Sequence, residues 1–332
     1  MSVEWFDVFA EAKSPVDPLA LERIPAECLH LDVGSLEEGE YRAVGDLLRK
    51  RPGLRLTLSL GEGAEVEDLD EALRSLRGIR QLYVRMPSLS SLDPICQLAS
   101  DLEHFGFDAT KSRSLSLHPI AKLKGLRSLS LYRHARGFES IAELPRLEGL
   151  RLGGYKLEGV IADVAGGIRS LRSLKMKGGS GKSLGWVAGL TELRHLAIDS
   201  VREVTGVDFL RSLERLEYLY LRSAPQVTEL CAFGALRRLR RVHLEQLKSI
   251  CSLEGVAEAP QLEELVAVSM GGLDSEALRC FKGHATLSSV ILGLKNRSAT
   301  TRAEELLGRL PRAPTGTSFE FSNGERYATW LG

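Results

Sequence analysis

Leu216-Glu217-Tyr218-Leu219-Tyr220-Leu221 is the most legible stretch of this chain. Its letters follow the spacing L-x-x-L-x-L, which recurs at 171–176 (LRSLKM), 193–198 (LRHLAI), 239–244 (LRRVHL), 262–267 (LEELVA) and 287–292 (LSSVIL). If other apolar residues are allowed, the pattern also begins at Ile79, Leu102, Leu126 and Leu147, with steps of 21 to 25 residues between starts. Recurrence with so little drift marks a repeat architecture. In an extended segment side chains alternate, so Leu219 and Leu221 share one face while Tyr218 and Tyr220 share the other. A strand this short cannot bury its leucines alone. Stacked against neighbouring units it can, and stability becomes largely a sum of nearest-neighbour interfaces.

These repeats resemble those of the leucine-rich-repeat family over residues 79–292, with weaker units at 28–33 and 51–56. The resemblance implies an α/β solenoid of about twelve units. The expected form is a horseshoe with a continuous parallel sheet on its concave face and a mainly 3₁₀ or irregular convex side. The short-unit bacterial kind, such as the internalins, is the nearest in style. Those proteins are exported, whereas the start Met1-Ser2-Val3-Glu4-Trp5-Phe6-Asp7 lacks the basic and apolar regions of a signal peptide.

Between strands, apolar residues recur every third position: Val204, Val207, Leu210, Leu213; then Val227, Leu230, Phe233, Leu236; then Ile250, Leu253, Val256, Ala259. That is the eclipsed spacing of 3₁₀ turns. Earlier in the chain, Tyr41, Val44, Leu47 and Leu48, ended by Pro52-Gly53, form a helical stripe, as do Val66, Leu69, Leu73 and Leu76. Residues 1–27, with Trp5, Phe6, Val8 and Phe9, read as an N-terminal cap, 28–294 as the array, and 295–332 as a C-terminal cap. The last contains a helix at 300–310 stopped by Pro311, a strand at Phe319-Glu320-Phe321, then Tyr327 and Trp330. Many family members place Asn or Cys after each strand, but the matching positions here include Pro87, His134, Val201, Ala224 and Leu247, so irregular turns are expected.

Charge and motifs narrow the function. The 44 basic and 44 acidic residues cancel, which removes the footprint of a nucleic-acid binder. No apolar run is long enough to span a membrane. Cys28, Cys96, Cys231, Cys251 and Cys280 are scattered, as suits reduced thiols in a cytoplasm. Gly178-Gly179-Ser180-Gly181-Lys182-Ser183 echoes a phosphate-binding loop, but Met176 occupies the place of the required first glycine, so a turn is expected. Cys280 and His284 have no second pair beside them, and neither a metal nor a cofactor is expected. Related bacterial proteins can carry a catalytic domain with a nucleophilic Cys. About forty residues follow the last strand here, none of them cysteine, and no enzyme is expected.

The face away from the leucines therefore carries the candidate site. Its three columns occupy the third, fifth and seventh positions of each unit. The first runs Gln81, His104, Ser128, Gly149, Ser173, His195, Tyr218, Arg241. The second runs Tyr83, Gly106, Ser130, Arg151, Lys175, Ala197, Tyr220, His243, and the third Arg85, Asp108, Tyr132, Gly153, Lys177, Asp199, Arg222, Glu245. Four of the seven tyrosines and, counting His30, four of the seven histidines fall in these positions. Tyr, Arg and His on a solvated surface give contact area with a polar tip. Tyr83, Arg85, His104, Tyr132, Arg151, Lys175, Lys177, His195, Tyr218, Tyr220, Arg222 and His243 are the candidate contacts for a protein partner. Arg151, Lys175 and Lys177 form a basic floor suited to an acidic partner. Asp199, Arg222 and Glu245 read equally well as a cross-strand ion ladder. The expectation is a monomeric, cytoplasmic, bacterial interaction protein, of inhibitor or immunity type by family analogy. An architectural spacer is the alternative, and nucleic-acid binding is disfavoured.

Overall fold

The computed structural model describes residues 3–6, 9–26, 28–76, 78–98, 101–112, 114–308, 310, 319–320 and 326–327. The chain forms two compact units, Met1–Leu150 and Arg151–Gly332. In both, sheet order is chain order, the arrangement that stacked repeats require.

In the first unit, strands β1 (Val3–Phe6) and β2 (Phe9–Ala12) form an antiparallel pair. β2 then continues in parallel to β3 (His30–Val33), β4 (Arg55–Ser59), β5 (Gln81–Arg85), β6 (His104–Asp108) and β7 (Ser128–Tyr132). Residues 1–27 thus contribute two strands to the sheet; the side chains of Trp5, Phe6, Val8 and Phe9 lie outside the described residues. Helix α1 (Pro18–Glu22) precedes β3. The two helical stripes are α2 (Glu38–Lys50) and α3 (Val66–Ser75), with Tyr41, Val44, Leu47 and Leu48 buried in one and Leu69 and Leu73 in the other. Each begins at a capping box, with Glu37 and Glu40 or Glu65 and Asp68 satisfying backbone N–H groups that the helix cannot.

The reading of 51–56 needs correction. The strand lies at Arg55–Ser59, and Leu56 and Leu58 pair with Leu82 and Val84. The true unit starts two residues later than expected. A shift of two preserves which face is apolar, so the pattern alone could not reveal it.

Strand β8 (Gly149–Gly153) crosses the divide between the units. The second unit continues with β9 (Ser173–Lys177), β10 (His195–Asp199), β11 (Tyr218–Arg222), β12 (Arg241–Glu245), β13 (Glu264–Val268) and β14 (Ser289–Leu292), all parallel. From Ile79 to Leu287, every strand starts two residues after its pattern start. Leu219 and Leu221 are buried, as are their counterparts Leu174 and Met176 on β9 and Leu196 and Ile198 on β10. Each such side chain contributes about 1.5–3 kcal/mol. These units form an open parallel sheet backed by short return segments, which is a leucine-rich-repeat solenoid.

The return path is mainly short 3₁₀ helices and irregular segments, as expected, with two short α-helices among them in the second unit. Of the three period-three stretches, the first holds a 3₁₀ helix at Asp208–Ser212, the second no helix, and the third the short α5 (Glu254–Ala257), after α4 (Val160–Gly167) earlier in the unit. Single i→i+3 turns instead link the apolar positions: Leu210 N–H donates to Val207 O at 3.0 Å, Leu236 N–H to Phe233 O at 2.9 Å, and Val256 N–H to Leu253 O at 3.0 Å. The periodicity reports burial at every third residue; a continuous helix is not needed to achieve it.

The turns after the strands are regular, contrary to expectation. Arg133, Gly154, Gly178, Ser200, Ser223, Gln246 and Ser269, one position past successive strands, all have φ between 51° and 70°. This left-handed corner replaces the missing asparagines. The N–H groups of Gly178, Ser200 and Ser223 donate to Asp199, Arg222 and Glu245 carbonyls at 2.7, 2.9 and 3.0 Å, prolonging the ladder past the strand. The following position is left to apolar packing by Val201, Ala224 and Leu247. Gly179 is a glycine because any side chain there would collide with the Tyr155 carbonyl. The stretch echoing a phosphate loop is thus a tightly packed turn.

At the C-terminal end, helix α6 runs Arg297–Leu306, capped by Asn296, whose side chain accepts from Ala299 N–H at 2.8 Å. It starts and ends earlier than the reading of 300–310. Phe319–Glu320 pairs antiparallel with Arg326–Tyr327 as a separate two-stranded sheet. Pro311, Phe321 and Trp330 and the Tyr327 side chain lie outside the described residues. Among the described residues no helix is long and apolar enough to cross a membrane.

Candidate protein-binding face

In the first unit the non-core face is partly occupied by its own contacts. Asp32 on β3 accepts from Ser59 Oγ at 2.7 Å and pairs with Arg85 at 2.6 Å, so Arg85 is tied down across two strands. His30 shares a 2.6 Å hydrogen bond with Thr57 and is held near pKa 4 by burial, then by Arg55. Tyr83 is half-buried beside Gly106, where a Cβ would meet its ring carbon at 2.7 Å. The glycine makes room for the ring. His104 is half-buried, and burial lowers its pKa. Tyr132 is 39% exposed, with the Arg133 guanidinium 5.1 Å from its ring centre.

In the second unit the first column is far less open than its alternation suggests. Tyr218 is 9% exposed and Arg241 2%. In register, His195, Tyr218, Arg241 and Glu264 stand side by side on β10 to β13. Arg241 pairs with Glu264 at 3.0 Å and lies 5.8 Å from the Tyr218 ring centre. Burial pushes the Tyr218 hydroxyl up, holds His195 down at about 4, and lowers Arg241 to about 10 even though Glu264 opposes the shift. Alternation defines a face; the long neighbours at the same position decide how much water reaches it. Tyr218 is therefore a packing residue on the sheet surface, not the exposed anchor expected of it.

The next two columns remain more accessible. Tyr220 is half-buried, donates to Glu245 Oε2 at 3.1 Å and packs edge-on to His243 with ring centres 4.7 Å apart. Its hydroxyl is pushed up to about 12, chiefly by burial and then by Glu245. His243 is held at about 4 by burial, Arg241 and Arg222. It is neutral, so its 3.6 Å approach to Glu245 is a polar contact and not an ion pair. Arg222 sits between Asp199 at 3.9 Å and Glu245 at 3.4 Å, the ladder read from the sequence.

Around β9 the picture changes. Lys175 is half-buried and Lys177 exposed, and neither forms an ion pair among the described residues. Burial lowers Lys175 to about 8, reinforced by Arg151 and Lys177 and opposed by Asp199. Gly153, Ser173 and Ala197 around them are small and buried.

One feature of the sequence was passed over. At the second position of successive units Arg and Glu alternate from Arg80 to Arg172 and again from Arg194 to Glu263. Arg80 pairs with Glu103 at 3.1 Å and Arg127 with Glu148 at 2.8 Å in the first unit; Arg194 pairs with Glu217 at 3.8 Å and Arg240 with Glu263 at 2.9 Å in the second. The Arg and Glu letters at this fixed place were the available signal. The five cysteines are free thiols, with Cys28 and Cys231 buried and Cys251 exposed. His284 Nε2 lies 3.1 Å from Ala259 O, and among the described residues no three His, Cys, Asp or Glu side chains gather as a metal site.

No protein-family model and no curated protein sequence matches the chain. Solved structures similar to it are leucine-rich-repeat proteins. An internalin of Listeria monocytogenes is 16% identical over 91% of this chain and 90% of its own, with a TM-score of 0.47. Toll, in the Toll–Spätzle complex of Drosophila, is 14% identical over 92% of this chain and 46% of its own, with a TM-score of 0.51. The leucine-rich-repeat domain of the type III effector XopL is 18% identical over 70% of this chain and 83% of its own, with a TM-score of 0.42. At these identities the likeness is one of fold.

Proposed function

We propose that this chain is a non-enzymatic protein-interaction module that receives a protein partner on the sheet face opposite its leucine core. Its concrete form is an inhibitor or immunity-type protein that covers a partner's active surface, acting as a soluble cytoplasmic monomer. The observation that carries this reading is the face of β9 to β12 in the second unit. There Lys175, Lys177, Tyr220, Arg222 and His243 are held on strands in fixed register, roughly 4.8 Å apart. Side chains fixed on a rigid sheet lose little entropy on binding, and partly desolvated aromatic and cationic groups are what binding hot spots use. The neutral His195 and His243, held near 4, are poorly placed for proton transfer at neutral pH, which favours recognition over catalysis.

The test is site-directed photo-crosslinking in the source cell, with the crosslinker at Tyr220 or at Arg211 on the return path. The expected outcome is a partner adduct from Tyr220 and none from Arg211. Adducts from Arg211 alone would move the interface to the convex side and favour the spacer reading.

A further inference from the structure

Within the first unit, the turns that leave β6 and β7 enclose a cleft of about 390 Å³. Ala109 and Leu115, both buried, give it an apolar floor. Tyr132, Arg133, Arg136, Thr110 and Ser112 bring polar atoms to its walls. His134 lines it too, but its ring is packed against Phe107 with centres 5.4 Å apart. Burial lowers the His134 pKa, opposed by the Ala109 backbone and Asp108, so the ring is neutral at pH 7 and adds no charge.

The two arginines set this cleft apart. Other cations of the unit are answered by carboxylates, as Arg80 is by Glu103, Arg127 by Glu148 and Lys111 by Glu62. Arg133 and Arg136 are exposed and form no ion pair among the described residues. The Arg133 guanidinium lies 5.1 Å from the Tyr132 ring centre, and Arg136 donates to the Ser114 carbonyl at 3.4 Å. Asp108, at the end of β6, does not line the cleft and pairs with neither arginine. The side-chain hydroxyls of Thr110 and Ser112 are also unengaged by other described residues.

We propose that this cleft binds a phosphate monoester, its phosphoryl oxygens held by Arg133, Arg136 and the two hydroxyls and its organic body lying against Tyr132 and Ala109. The inference goes beyond the protein-binding reading, which rests on the second unit. Charge selects the ligand: two cations without a carboxylate match a monoester, which carries roughly −1.5 to −2 at pH 7. Shape points the same way. A guanidinium presents its donors as a planar fork that takes a phosphate or carboxylate in bidentate fashion. A phosphoryl group offers three acceptor oxygens to two such forks, whereas one carboxylate offers two. Size argues against a bare ion, because small-molecule sites run to roughly 300–1,000 Å³ while a water occupies roughly 30 Å³. Inorganic phosphate would leave most of this cleft to solvent. Nucleic acid fits poorly, since its phosphates are singly charged diesters and its specific binders contact roughly 6–10 of them along a groove.

The experiment is isothermal titration of the full chain with phenyl phosphate, with inorganic phosphate, succinate and a phosphoserine peptide as parallel probes. Variants are Arg136→Gln, Arg133→Gln with Arg136→Gln, and Arg146→Gln, an exposed arginine of the same unit outside the cleft. The expected result is saturable binding of phenyl phosphate that falls about tenfold or more in the double variant. It should fall measurably in Arg136→Gln and stay unchanged in Arg146→Gln. Melting curves confirm that each variant is folded, and the single variant on an exposed side chain keeps the test valid if the double one is not. Tighter binding of the phosphoserine peptide than of phenyl phosphate would support the site and assign its ligand to a phosphorylated side chain; the reverse order would assign it to a free small molecule. No binding of either, equal affinity of wild type and Arg136→Gln, equal loss in Arg146→Gln, or binding of inorganic phosphate or succinate as tight as that of phenyl phosphate would overturn the proposal.

Discussion

Strands β9 and β12 of the same unit each place a cation on the face opposite the core. On β12 Arg241 is nearly inaccessible, pairs with Glu264 of β13 at 3.0 Å and packs against Tyr218 of β11. On β9 Lys175 has Lys177 and Arg151 as its charged neighbours, and Asp199 is engaged elsewhere. Each cation is partly desolvated. Arg241 is paired within the fold, whereas Lys175 and Lys177 form no ion pair among the described residues. In a repeat protein the next unit is the first partner any surface side chain meets, so a residue's availability depends on the letter a repeat away. Tyr218, flanked by His195 and Arg241, is consumed by that rule, whereas Lys175, flanked by Arg151 and Ala197, is spared by it.

The contrast should vanish in the core. Leu174→Ala under β9 and Leu219→Ala under β11 remove fully buried side chains and should each cost roughly 2–5 kcal/mol in urea unfolding. A loss below about 1 kcal/mol at either site would mean that the units are not stacked on a shared core.

It should reverse sign on the sheet face. Arg241→Met strands the Glu264 carboxylate in a half-buried site and should lower stability by roughly 2–3 kcal/mol. Lys175→Met keeps the aliphatic stem, discards a charge that burial disfavours, and should leave the melting temperature unchanged or higher. Matching losses in the two variants would erase the distinction between a satisfied and an open region.

Titration sharpens it with smaller effects. His195 and His243 have folded pKa values near 4 against 6.5 unfolded, so the stability they retain as neutral groups is complete above 6.5 and is lost as pH falls toward 4. Lys175, near 8 folded against 10.5 unfolded, acts in the opposite range: the unfolded chain binds more protons there, so its contribution rises with pH from 8 to 10.5. Urea midpoints measured across both windows should fall on the acid side less steeply in His195→Asn with His243→Asn. On the alkaline side Lys175→Met should remove the rise.

Within the array strand placement was legible because the leucine spacing repeats, and it failed there at 51–56, where Leu54 offers a false start ahead of Leu56 and Leu58; β1 and β2 lie before the spacing begins and were not read. The columns were legible as a face but not as a surface. Tyr218 reads as an exposed tyrosine until Arg241 and Glu264 are seen in register with it. The left-handed corners were hidden for a different reason. Gly154 and Gly178 announce positive φ, whereas Arg133, Ser200, Ser223, Gln246 and Ser269 do not; their conformation is imposed by the strand before them and the buried residue after.

The alternating Arg and Glu at the second position give the array a property its backbone lacks. The fold repeats with every unit, but Arg194, Glu217, Arg240 and Glu263 repeat with every second one. Duplicating a single unit within that stretch would bring like charges onto neighbouring rungs, while duplicating two would preserve the order. The consecutive Arg172 and Arg194 mark the place where that parity has slipped.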